Sequence, residues 1–98
     1  MGMVASLNNM GGINEEQGNY LKALENYSHS LQISQELGAK EDMAISLNNM
    51  SMIYGKQGKY RKSIECGTKG LQLAKEIGSL YCLRGAYIEL YETYRANN

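Results

Sequence analysis

The chain has 98 residues, 43% of them hydrophobic, which is material for one domain with a modest core and too apolar for a disordered tail. Proline is absent and glycine occurs eleven times, a profile of unbroken helices punctuated by turns. Formal net charge is zero, so the molecule as a whole offers no attraction to nucleic acid or to an anionic membrane, although residues 1–49 carry six acids against two bases (−4) and residues 50–98 four acids against eight bases (+4).

From the N-terminus, Leu7, Met10 and Ile13 recur at helical spacing and predict a helix over 3–17. Gln17-Gly18-Asn19 interrupts the pattern, and a glycine there suits a left-handed helix end. A second helix over 20–37 shows Tyr20, Ala23, Leu24, Tyr27, Leu31 and Ser34 to Leu37 on one face and ends at Gly38. The same sequence of events then repeats. Leu47, Met50, Ile53 and Tyr54 mark a helix over 41–57, and Gln57-Gly58-Lys59 interrupts it. A fourth helix over 60–77 carries Tyr60, Ser63, Ile64, Gly67, Leu71 and Ala74 to Ile77, and Gly78 closes it. Leu83, Ala86, Tyr87, Leu90 and Tyr94 mark a fifth over 80–95.

SLNNM stands at 6–10 and again at 46–50, and in that register residues 3–40 and 43–80 agree at 16 of 38 positions without a gap. The two segments are duplicates of one unit. Each unit is a helical hairpin, because connections this short force antiparallel neighbours. One hairpin cannot bury its apolar stripe alone, so stacked hairpins form a short all-α solenoid. The organisation expected is a single domain over 1–98, with repeat one at 3–40, repeat two at 43–80, and a half-repeat or capping helix at 80–96.

These residues resemble the tetratricopeptide repeat family. That motif asks for a bulky residue, then Leu-Gly, Tyr, Gly-x-Tyr, Ala, an aromatic and Ala-Leu. Repeat one supplies Leu7, Met10-Gly11, Asn14, Gly18-Asn19-Tyr20, Ala23, Tyr27 and Ser30-Leu31. Repeat two supplies Leu47, Met50-Ser51, Tyr54, Gly58-Lys59-Tyr60, Ser63, Gly67 and Gly70-Leu71, and the last helix Tyr87, Leu90-Tyr91 and Tyr94. The period is 40 residues here, against roughly 34 in the usual repeat. The usual proline near the repeat end is replaced by Gln35 and Lys75. That combination is similar to a longer-helix subclass that includes kinesin light chain, the Pins-type adaptors and repeat arrays of bacterial regulators. The resemblance implies a right-handed α-solenoid of about 2.5 repeats and a protein-protein interaction module.

Two positions depart from the motif. Gly67 and Gly70 replace the aromatic and the small alanine of the second helix, either by drift or to make room for Tyr87. Tyr91 stands where a small residue normally lets a paired helix approach.

By the resemblance, the first helix of each repeat lines a concave groove, which places Asn8, Asn9, Asn48 and Asn49 on or beside it. A side-chain amide both donates and accepts, so it can pair with the backbone of an extended peptide. Asn9 and Asn49 are the leading candidates for such a ladder. The alternative is that these amides bond backbone inside the solenoid. Met52, Lys56 and Glu89 join them as peptide-binding candidates, with Ala5, Gly12, Glu16, Ile45, Ile88 and Glu92 nearby. Lys56, Lys59, Arg61 and Lys62 form a basic cluster that reads as solvated surface. The carboxylate clamp of chaperone-binding relatives needs several groove lysines and an arginine, and only Lys56 and Arg95 are available.

No catalytic, cofactor or metal motif is present: His29, the one histidine, lies between Ser28 and Ser30, which cannot face it in a helix. Cys66 and Cys82 have no ligand spacing and read as apolar fillers in a reducing compartment. MGMVASLNNM has no basic region followed by an apolar core, so no signal peptide is expected there, and no apolar run approaches the roughly 20 residues of a membrane span, so the expected setting is cytoplasmic. The expected partner is a protein or peptide segment. The competing readings are a self-associating structural piece, acting through charge or through an open apolar end, and a regulatory fragment of a larger signalling protein.

Overall fold

A computed structural model describes residues 2–97, which form five helices: α1 (Gly2–Glu16), α2 (Tyr20–Leu37), α3 (Lys40–Lys56), α4 (Tyr60–Ile77) and α5 (Leu80–Asn97). Each begins and ends within two residues of its sequence-based expectation. The product is a helical-repeat solenoid in which every helix packs on its neighbours in sequence, and α3 also packs on α5.

All four turns are built alike. After α2, Gly38 takes φ +69° and the Ala39 N–H donates to the Ser34 carbonyl at 2.9 Å, which closes the last turn with a left-handed cap. After α4, Gly78 and Ser79 repeat this at Ala74. The turns after α1 and α3 use the same bonds, Asn19 to Asn14 and Lys59 to Tyr54, each 2.8 Å. Helix starts are less uniform: α2, α3 and α4 have no side-chain cap, whereas the Ser79 hydroxyl accepts the Cys82 N–H at the start of α5.

The core is thin and made largely of small residues. Ala23, Ala44, Ile53, Ala74 and Ala86 are fully shielded, with Tyr27, Leu47, Met50 and Cys82 close behind. Six buried hydroxyls share this space. Ser63 donates to the Ser51 carbonyl at 2.8 Å, Ser51 donates to the Ser63 carbonyl at 2.7 Å, and Thr93 lies 2.9 Å from the Ser63 hydroxyl. These three tie α3, α4 and α5 together. Ser30 and Ser46 pair at 3.1 Å between α2 and α3, and Ser34 donates back to the Ser30 carbonyl. Small side chains let the helices close up until hydroxyls bond one another and neighbouring carbonyls directly.

Several sequence expectations need correction. Met10 and Ile13, expected to face the core, are 50% and 55% exposed, because no helix among the described residues covers that side of α1; its buried positions are Val4 and Gly11. Leu37, Tyr87 and Tyr94 are also exposed. Gly67 and Gly70 do not make room for Tyr87. A Cβ on Gly67 would lie 2.9 Å from Leu90 and 3.2 Å from Ser51, and one on Gly70 would lie 2.5 Å from the Asn48 side-chain oxygen. These glycines admit a leucine from α5 and an amide from α3.

Candidate functional site

A recess of about 230 Å³ opens between α3 and α5. Helix α3 presents Ile45, Asn48, Asn49 and Met52 to it, at the three- and four-residue spacing of one helical face. Tyr81, Arg84, Gly85, Ile88 and Glu89 come from α5. Beyond Met52 and Glu89 the depression continues past Gly55, Lys56, Tyr60, Glu92, Thr93 and Ala96. The walls are therefore aliphatic, with amides on the α3 side, a guanidinium at one end and carboxylates at the other.

The asparagines of the two repeats do not share one fate. Asn48 is 8% exposed, and its Nδ2 donates to the Cys82 carbonyl at 3.4 Å. Its oxygen lies against Gly70 and has no partner among the described residues. Asn48 thus holds α5 against α3, which is the internal-bonding alternative for this residue. Asn49, next to it, is half-buried on the recess wall. Asn9, in the equivalent place on α1, is exposed, and Asn8 is partly buried with an unpartnered oxygen. Neither lines the recess between α3 and α5. Met52 and Glu89 line both halves of it and Lys56 the second.

Charge at the far end is organised by one contact. Lys56 donates to Glu15 of α1 at 2.7 Å, and the Tyr27 hydroxyl donates to the other oxygen of that carboxylate at 3.2 Å. The hydrogen bond to Glu15 holds the Lys56 ammonium above its ordinary range, and burial, then Glu15, pushes the Tyr27 phenol up. Burial, then the Glu15 charge, raises the Glu89 carboxyl. Lys56 is committed to Glu15, so Glu89 faces the groove without a bonded cation among the described residues. The rest of the basic cluster, Lys59, Arg61 and Lys62, is exposed, with Lys62 over the Tyr54 ring at 5.6 Å.

Sequence reasoning missed Tyr81, Arg84 and Gly85 of the recess. A shift of one repeat would have shown Arg84 and Gly85 at the places of Ala44 and Ile45, where the last helix changes character. His29 is exposed, Cys66 is partly buried and Cys82 is buried, both as free thiols. No group of three or more His, Cys, Asp or Glu side chains that could hold a metal ion occurs among the described residues. No helix among them is long and apolar enough to cross a membrane. A family model described as Tetratricopeptide repeat matches residues 2–76, which is α1 through most of α4. Comparison with curated proteins gives no match.

Proposed function

The chain belongs to the tetratricopeptide repeat family, whose repeats mediate protein-protein interactions, and on that premise we propose that it binds an extended peptide in the groove of α1, α3 and α5. The observation that carries the reading is the recess between α3 and α5, where aliphatic side chains are flanked by the half-buried amide of Asn49, which makes no hydrogen bond among the described residues. Ile45, Met52 and Ile88 offer apolar contact to a ligand side chain, and Met52 adapts its shape to what it meets. Asn49 can both donate to and accept from a peptide backbone beside them. Asn9 repeats that amide one unit earlier, so the two rungs stand on α1 and α3, the first helices of successive repeats. Asn48 is the poorer rung, since its nitrogen is bonded to the Cys82 carbonyl and its oxygen is buried against Gly70. Glu89 gives the groove a negative end, which would set the direction of the peptide. The reading is of a binding module without catalysis. The free thiols of Cys66 and Cys82 fit a reducing compartment, here the cytoplasm.

The test starts from peptides selected on the intact chain from a displayed library of short random sequences. Ile88→Glu is expected to abolish their binding while leaving far-UV circular dichroism unchanged, because Ile88 is 52% exposed. Asn9→Ala combined with Asn49→Ala is expected to weaken binding about tenfold or more, the loss of one or two backbone hydrogen bonds at each rung. Selected peptides that bind Ile88→Glu as they bind the parent sink the groove reading. Peptides lost with Ile88→Glu but indifferent to the double asparagine variant keep the groove and sink the ladder.

A further inference from the structure

The internal duplication shows what the open side of α5 can accept. At a shift of 40 residues, Ala44, Leu47, Ser51 and Tyr54 of α3 correspond to Arg84, Tyr87, Tyr91 and Tyr94 of α5. On α3, Ala44 and Ser51 are fully buried, and the Ser51 hydroxyl donates to the Ser63 carbonyl of α4 at 2.7 Å. On α1 the Ser51 place is Gly11, where an added Cβ would lie 2.5 Å from the Tyr27 ring of α2. The hairpin partners α2 and α4 thus meet glycine or serine at this place. Helix α5 carries Tyr91 there, 63% exposed, and exposed Arg84 at the Ala44 place. A second helix set as α2 and α4 are set would meet a phenol ring and a guanidinium where those helices meet small residues.

The exposed stripe has a pattern of its own. Leu80, Arg84, Tyr87, Tyr91 and Tyr94 follow one another at steps of four, three, four and three, the seam of a two-helix coiled coil. Each is exposed, and no carboxylate lies on the seam. We propose that this seam docks on the same seam of a second copy, antiparallel, about a two-fold axis. Alternating seam layers then place Arg84 over the partner's Tyr94 and Tyr87 beside the partner's Tyr91, and the two-fold axis makes each contact occur twice. A guanidinium over a phenol ring and two offset rings are both favourable pairings. The opposite end of the solenoid cannot supply them: α1 exposes Met3, Met10 and Ile13 and contains no aromatic ring. The seam is short, about 27 Å for an 18-residue helix, so the dimer is weak and forms with rising concentration.

The test is solution mass by light scattering and sedimentation of the whole chain, from micromolar to millimolar concentration. The expected result is a monomer that passes to a dimer and no further. Tyr87→Glu combined with Tyr91→Glu is expected to stay monomeric, and Arg84→Ala to raise the dimer Kd about tenfold through its two symmetry-related contacts. Met10→Glu combined with Ile13→Glu, at the far end, is expected to leave the dimer intact. If the double tyrosine variant fails to fold, Arg84→Ala carries the test, since that side chain is already exposed. A monomer throughout overturns the proposal, and so does a dimer indifferent to both α5 variants. Growth beyond a dimer, or loss of assembly with the α1 variant, overturns it in favour of head-to-tail stacking between the negative and positive halves.

Discussion

Helices α1 and α3 share Ser-Leu-Asn-Asn-Met followed three residues later by isoleucine, yet the solenoid treats them differently. Met50 and Ile53 of α3 are 9% and 0% exposed, while Met10 and Ile13 of α1 are 50% and 55% exposed. The amides diverge too: the Asn48 nitrogen reaches the Cys82 carbonyl of α5, a bond with no counterpart at Asn8 among the described residues, although both side-chain oxygens are unpartnered. The same residues acquire different roles because, among the described residues, α3 is flanked by helices on both sides and α1 on one side only. In a stacked array, burial belongs to the place in the stack and not to the motif.

The sharpest way to break that comparison is to truncate the isoleucines. Ile53→Ala is expected to cost about 2–5 kcal/mol of folding stability, since it opens a cavity in a closed core, and Ile13→Ala less than about 1 kcal/mol. Urea unfolding of both variants measures the difference, and equal losses would mean that α1 is buried in solution by something else. Next in size is Gly70→Ala. Its methyl would lie 2.5 Å from the Asn48 oxygen, and the amide is held in place by the bond from its nitrogen to the Cys82 carbonyl, so a loss of about 1–3 kcal/mol is expected despite the better helix propensity of alanine. Combining it with Asn48→Ala should recover part of that loss, a coupling that a double-mutant cycle reads directly. Asn48→Ala alone should cost about 1 kcal/mol and Asn8→Ala within about 0.5 kcal/mol, because only the first gives up a hydrogen bond.

The smallest effects are electrostatic and join the two helices. Lys56→Met removes the bond to Glu15 and is expected to cost less than about 1 kcal/mol, with the difference from the parent shrinking as salt is added. Glu89 sharpens the picture through pH. Its folded carboxyl titrates above the unfolded one, so the folded state binds the extra proton between the ordinary glutamate value, about 4.3, and the raised one. Stability should therefore fall as pH rises through that window, and Glu89→Gln should remove this contribution. A Glu89→Gln profile that overlays the parent's would show that the groove leaves this carboxyl as solvated as any surface glutamate.

Much of this architecture can be read from the sequence, because its signals are local. Helix spans follow from periodicity, and turns from glycines whose left-handed conformation depends on their own residue. What could not be read is what stands beside each helix. Met10 and Ile13 look like core to any test of periodicity. Asn48 and Asn49 are adjacent and chemically identical, and only the approach of Gly70 and Gly85 separates the structural amide from the one on the groove wall. Tyr81 and Arg84 carry no motif at all; they matter because α5 crosses α3 where they lie. A gapless duplication does hold one long-range signal, the contrast between equivalent positions, and it locates the stripe on which α5 differs.

The four turns also have a bearing on how such a protein arises. Gly18, Gly38, Gly58 and Gly78 fall at intervals of 20 residues, with the same closing bonds at each. A misaligned crossover between the coding segments of the two repeats would add or remove 40 residues while leaving every turn intact. The new junction would set a copy of α3 on a copy of α4, much as α3 already sits on α2. Lineages can therefore lengthen or shorten this groove in a single genetic step, and selection need only refine the helix at the end.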